Sequence, residues 1–171
     1  MCIRDRRLAR LRGIRKYVYR MDVLERTLSY DEVTEIFVRV NSLGAKLRSS
    51  DLALAQITAK WRHSLQTFQD FQKACAKTGF DLDLGLHLKN LMAFATGQSR
   101  FQIVGSLNVE KLQKAWKEAC NGMEFALNFL RSNLGIDSPA LLSSPFLLVV
   151  LAYFGHSRNY AVSNDLSLIH I

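Results

Sequence analysis

The sequence predicts a mainly α-helical protein, a multi-helix orthogonal bundle with one short strand near the N-terminus. Three observations carry that prediction. Apolar residues recur at helical spacing along most of the chain, longest over Leu112, Ala115, Trp116, Ala119, Met123, Ala126, Leu127 and Leu130. Glycines follow the apolar stripes at Gly44, Gly79, Gly97, Gly135 and Gly155, where helices are expected to stop. Strand-like alternation occurs at one place, where Tyr17, Tyr19, Met21 and Val23 alternate with Val18, Arg20 and Asp22.

Taken in order, Leu8–Arg12 reads as the tail of a helix broken by Gly13, and the strand signal follows. Ser29 and Glu32 have the spacing of a capping box: the hydroxyl accepts from a first-turn amide and the carboxylate reaches back. Val33, Ile36, Phe37 and Val40 then form one apolar stripe, ended by Asn41-Ser42-Leu43-Gly44. Ser49 and Ser50 restart the helix, with Asp51 placed at the positive end of its dipole. Leu52, Ala53, Leu54, Ala55, Ile57 and Ala59 make this helix apolar on most of its circumference, so it is expected deep in the core.

Leu65, Phe68, Phe71 (or Gln72) and Cys75 carry a stripe to Lys77, and Asp81 or Asp83 begins the next helix. Leu84, Leu88, Leu91, Met92 and Ala95 face inward there, and Gly97 ends it. Residues 98–107 read as a polar loop in which Phe101, Ile103 and Val104 make a short extended piece. Asn108 caps the longest helix. A glycine inside a helix costs about 1 kcal/mol relative to alanine, so Gly122 implies close packing. Ser144-Pro145 opens the last helix, with proline where no amide is needed. Phe146–Tyr153 is apolar on all sides and is expected to be central, with Gly155 as its end.

Length and composition fit one domain with a sizeable core. No apolar run is long enough to span a membrane, so no membrane partner is expected. The formal charge is +8, and Arg7, Arg10, Arg12, Arg15, Lys16 and Arg20 hold much of the excess with no acid among them. Such a cluster attracts polyanions, or it is a solvated strip; both readings stand. Cys75 and Cys120 fall on apolar helix faces, and no zinc-ligand spacing occurs. Two lone thiols fit a reducing, cytoplasmic compartment.

The ends differ in character. MCIRDR and LSLIHI are translations of a transposase end sequence used in sequencing-library preparation and of its reverse complement. Residues 1–6 and 166–171 are therefore set aside as adapter translation, and 7–165 is expected to be one helical unit internal to a longer gene.

The string Ile36-Phe37-x-Arg39-Val40-Asn41-x-x-Gly44-x-x-Leu47-x-x-x-Asp51-Leu52-Ala53-Leu54-Ala55 resembles a segment of the GmrSD-type restriction endonuclease N-terminal domain. Leu43 stands where that family usually has a small or polar residue. A weaker likeness at Ser144–Tyr153 extends the resemblance over most of Tyr17–Arg158. The resemblance implies a fragment of a larger α+β domain with a ParB/sulfiredoxin-like core. It implies, for the parent protein, modification-dependent DNA cleavage in phage defence, with a nucleoside triphosphate and a divalent metal as cofactors. A downstream HNH-type nuclease domain or subunit is the implied partner. The family's "DGQQR" catalytic string and HNH segment do not occur in this sequence, so no catalytic residue is assigned and no cofactor is expected in this segment.

Arg39, Asn41 and Gly44 are the candidates to lie near nucleotide or DNA. A forked guanidinium and an amide beside a glycine turn suit a phosphate. Equally, Arg39 can pair with Glu35 or Asp51 while Asn41 satisfies a helix end. Ile36, Phe37, Leu47, Asp51, Leu52 and Ala55 are expected to be structural. His63, His87 and His156 lack a carboxylate or ligand at helical spacing and read as surface or capping residues. Asp81-x-Asp83 suits a metal or a helix start. No Walker loop, dinucleotide fingerprint or nucleophile elbow is present.

Two non-catalytic functions compete. A helix-turn-helix module would use the two helices around Gly44 and the basic arm. Its joint, Leu43–Ser49, is longer than the usual turn, and its second helix offers Leu and Ala where base-reading side chains are needed. A helical interaction scaffold would show a large exposed apolar patch.

Overall fold

The computed structural model describes residues 3–18, 21–28, 32, 33, 36, 37, 40 and 48–161. The chain divides into two units, Met1–Phe37 and Val38–Ile171.

In the first unit, helix α1 spans Ile3–Ile14. It begins inside the stretch set aside as adapter translation. Gly13 does not break it; the helix passes through and ends in a turn in which the Lys16 amide donates to the Gly13 carbonyl at 3.0 Å. Among the described side chains of α1, Leu8, Leu11 and Ile14 are all exposed. The expected strand does not form among the described residues: Tyr17, Val18 and 21–23 have no strand pairing. A strand exists only through ladder bonds to a neighbour, and alternation alone supplies none. Glu32, Val33, Ile36 and Phe37 have helical backbone. The Ser29 half of the expected capping box lies outside the described residues.

The second unit is a helical bundle. Val40 is helical and exposed. Then follow α2 (Ser49–Lys60), α3 (Ser64–Lys77), α4 (Leu84–Thr96), a 3₁₀ turn (Val104–Ser106), α5 (Val109–Leu134), a second 3₁₀ turn (Pro139–Leu141) and α6 (Leu147–Ser157). The first 3₁₀ turn replaces the extended piece expected within 98–107.

Helix α4 is the centre. It packs against α2, α3, α5 and α6. Gly85, Leu86, His87 and Leu88 are buried, as are Asn90, Leu91, Met92 and Ala93. Asp83 starts it, its carboxylate accepting from the Gly85 amide at 3.2 Å. Helix α5 runs past both halves of the core. Leu112, Ala115 and Trp116 join Phe68, Leu88 and Leu91 in one cluster. Met123, Ala126 and Leu127 join Phe80, Leu148 and Ala152 in the other. Phe68 seals the first cluster, its ring edge-on to Trp61 at 5.4 Å and tilted against Trp116 at 4.5 Å. The ends of α5 are those the sequence predicts: Asn108 Oδ1 accepts from the Lys111 amide at 2.9 Å, and Gly135 turns left-handed at φ 64.

Two helices are less buried than their composition suggests. In α2 only Ala53 and Ile57 are buried; Leu52 and Leu54 are half-buried, and Ala55 and Ala59 face solvent. This corrects the expectation of a deep helix. Alanine favours helix without demanding burial, so an alanine-rich helix can sit at the margin. It is tied there by Lys60, whose ammonium donates to the Leu107 carbonyl at 3.0 Å and also to the Gly105 carbonyl. In α6, Leu148, Val149, Ala152 and Gly155 are buried, whereas Leu147, Val150, Tyr153 and Phe154 are exposed. The expected central helix is covered on one face only, because α4 and α5 lie on one side of it. Gly155 does not end it. The glycine lies inside the helix, and a Cβ there would stand 2.4 Å from the Phe125 ring.

Gly122 bears out the close packing read from the sequence. A Cβ at this position would lie 2.5 Å from Phe94 Cζ and 3.0 Å from the Ala152 carbonyl oxygen. The backbone of α6 cannot withdraw without disturbing its own bonds. Gly122→Leu is therefore expected to lower unfolding free energy by about 2–3 kcal/mol in urea titrations. An unchanged midpoint would contradict the contact.

Candidate functional site

Arg39, Asn41, Gly44 and Leu47 lie outside the described residues. Of the remaining matched positions, Ile36 is half-buried and Phe37 exposed, both on helical backbone. The exposure of Phe37 and Val40 departs from the buried stripe expected there: periodicity reports a face, not what covers it. The first described residue after the joint is Arg48, at the N-cap position of α2, which begins at Ser49 where the sequence predicts a restart. Asp51 has the helix-start role expected of it, its carboxylate accepting from the Arg48 amide at 3.1 Å. Arg48 has no side-chain acceptor, so only this half of a capping box forms. On α2, Leu52 is half-buried and Ala55 exposed.

A cleft of about 430 Å³ opens at this helix start. Three chain turns meet in it: Arg48-Ser49-Ser50 before and in α2, Asp81–Gly85 at the start of α4, and Ser144-Pro145-Phe146 ahead of α6. Ser144 Oγ accepts from the Phe146 amide at 3.3 Å, but α6 begins at Leu147 with Phe146 in the N-cap position, two residues later than the Ser-Pro opening predicts. Arg48 lies 3.9 Å from the Asp83 carboxylate, and Lys89 Nζ stands 5.7 Å from the centre of the Phe146 ring. The volume suits a small ligand. Arg48, Lys89 and the serine hydroxyls offer donors to an anion, but Asp83 faces Arg48 and Asp81 adds a second carboxylate to the lining. A phosphate would have to compete with Asp83 for Arg48.

Of the three histidines expected in surface or capping roles, two depart from that expectation. His63 fits it, exposed at the start of α3 with no side-chain capping bond. His87 is fully buried, edge-on to Phe71 at 5.5 Å, with neither ring nitrogen hydrogen-bonded. Burial pushes it down to about 4 from the usual 6.5, partly opposed by Asp83 one turn earlier. His156 has a carboxylate after all. Its Nε2 lies 4.0 Å from Glu118 and its Nδ1 3.3 Å from the Tyr160 hydroxyl. Asn159 and Tyr160 hold left-handed backbone at φ 50 and 59, which folds the phenol back over α6. Burial and Glu118 both raise the Tyr160 hydroxyl. The Tyr160 spacing, one turn after His156, was legible; Glu118 comes from another helix and was not.

Glu118, His156 and Tyr160 stand in a row, but at 4.0 Å the Glu118 contact is too long for a hydrogen bond, and no aligned nucleophile adjoins the row. The hydroxyl of the neighbouring Ser157 donates to the Phe154 carbonyl at 2.7 Å. The thiols are not poised either: burial, then Glu124, raises Cys75 to about 11 and Cys120 to about 12. No group of three or more metal-ligating side chains occurs among the described residues. Asp83 of the Asp81-x-Asp83 pair serves as a helix cap. Arg10 and Arg12 on α1 and Arg15 and Lys16 in the turn after it are exposed, and Arg20 lies outside the described residues. No described helix is long and apolar enough to cross a membrane.

Set against known proteins, the chain matches no family model, and no curated protein is significantly similar to it.

Proposed function

We propose that this chain is the helical portion of a modification-dependent DNA restriction protein of the GmrSD type, acting in phage defence in the cytoplasm. The observation that carries the proposal is the string from Ile36 to Ala55, in which Arg, Asn, Gly and Asp recur at the family's spacing within an apolar helical pattern. The helical fold and the helix-start role of Asp51 are in keeping with it. On this reading the chain belongs to a larger α+β domain, and the 17–23 segment would pair with a strand of its ParB-like core. Nucleotide hydrolysis, the divalent metal and the HNH-type nuclease belong to the parent protein. Arg39, Asn41 and Gly44 then approach nucleotide or DNA, next in sequence to the Arg48 cleft.

A second reading, a non-catalytic DNA-binding helical module, is favoured by the exposed cations of α1. Its helix-turn-helix version is disfavoured, because Ala53 and Ile57 of α2 are turned into the core.

The test uses the full-length gene product with modified and unmodified duplex DNA, a nucleoside triphosphate and magnesium. Cleavage confined to modified DNA and dependent on the nucleotide is the expected result, with the 171-residue chain alone inert. Salt-sensitive DNA binding by the full-length protein, without cleavage of any substrate, would favour the second reading and overturn the first.

A further inference from the structure

The outer face of α6 carries chemistry that the restriction reading does not use. A groove of about 360 Å³ runs along α6 beside the end of α4, and none of its lining residues is charged. Phe146, Val150, Tyr153 and Phe154 form its apolar wall, with Ser99 and Ser157 at its edges. Val150 is 54% and Leu147 49% exposed, high for large aliphatic side chains at helical spacing. Each end of the stripe carries a cation laid over an aromatic ring. Lys89 lies over Phe146 at 5.7 Å, and Arg158 over Phe154 at 5.5 Å. At the rise of an α-helix, Phe146 and Arg158 are about 18 Å apart along the axis.

We propose that this face docks an amphipathic helix of another protein, apolar along one stripe and acidic at both ends. The groove's length and apolar wall suit helix-in-groove recognition, in which residues at i, i+3 or i+4 and i+7 supply the anchors. The end charges choose among occupants. A second copy laying its own α6 antiparallel on this one would bring Arg158 against Lys89 at each end, cation on cation. A helix with carboxylates about twelve residues apart would meet a cation at each end. The inference does not rest on the restriction reading and stands or falls separately.

The probe is a fluorescein-labelled helical peptide of about sixteen residues with leucines on one stripe and glutamates at both ends, titrated with the full chain. Its partner probe carries lysines at the ends. The glutamate-ended peptide is expected to bind about five- to tenfold more tightly, the difference shrinking at high salt. Val150→Glu should abolish binding of both. Lys89→Glu with Arg158→Glu should reverse the preference, a gain that misfolding cannot produce. Equal affinity for both peptides, binding of neither, or dimerisation of the chain lost in Val150→Glu would each overturn the proposal.

Discussion

Phe68→Ala is expected to destabilise the bundle by about 3–5 kcal/mol, the usual range for truncating a fully buried aromatic. Phe68 has no exposure to solvent and lies in ring contact with both Trp61 and Trp116. Those tryptophans come from the end of α2 and from the middle of α5, so the lost ring leaves a cavity that three helices border. Neither neighbour can collapse into it cheaply: Trp116 is held on its other side by Phe71 at 5.5 Å. Urea denaturation followed by tryptophan fluorescence reads the effect, because both indoles report on this site. Leu141→Ala, at a side chain 64% exposed, serves as the comparison and should change stability by about 0.5 kcal/mol or less. Similar losses in the two variants would show that the first core cluster is not packed as described.

The second large effect is a pH dependence owed to His87. Its pKa is about 4 in the fold and 6.5 as the ordinary value, because the buried ring has no partner for a second proton. The unfolded chain therefore binds the proton more readily than the folded one. The stability His87 contributes is whole above pH 6.5 and is lost as pH falls toward 4, amounting to about 3 kcal/mol. Carboxylates elsewhere also respond in this window, so the measurement is the difference between wild type and His87→Leu. The leucine fills similar space and has no polar atom to desolvate. The two stability curves should separate progressively below pH 6.5, wild type falling faster. Parallel curves would mean that the imidazole is solvated or bonded.

The parts of the fold that sequence made legible are those set by local chemistry. Asn108 and Gly135 mark the ends of α5 because capping and left-handed turns depend on residues adjacent in the chain. Gly122 was legible as a tight contact because a mid-helix glycine costs too much without a reason. What was not legible is which helix sits in the middle. The aliphatic runs of α2 and α6 suggested centrality, yet α4 holds it, with His87 and Asn90 buried among its apolar residues. A signal existed: Lys89 is the only charged residue in α4, so a helix with a histidine and an asparagine still had no wet face. Asn90 Nδ2 donates to the Ala119 carbonyl at 2.8 Å, a partner on α5 that no local pattern could name, while its Oδ1 has no partner. Of the cleft, sequence picked out only the helix starts Ser49-Ser50, Asp81-x-Asp83 and Ser144-Pro145, and neither of its cations. Arg48 and Lys89 border one cleft because α2 and α4 begin side by side, a long-range fact.

Kinship with the GmrSD-type restriction proteins is tested most directly by reading the genomic DNA on the 5′ side of the Arg7 codon in the source population. An open frame continuing upstream and encoding a ParB-like core with a DGQQR-type string is the expected result. An in-frame stop directly upstream, or an unrelated domain in that position, would contradict it.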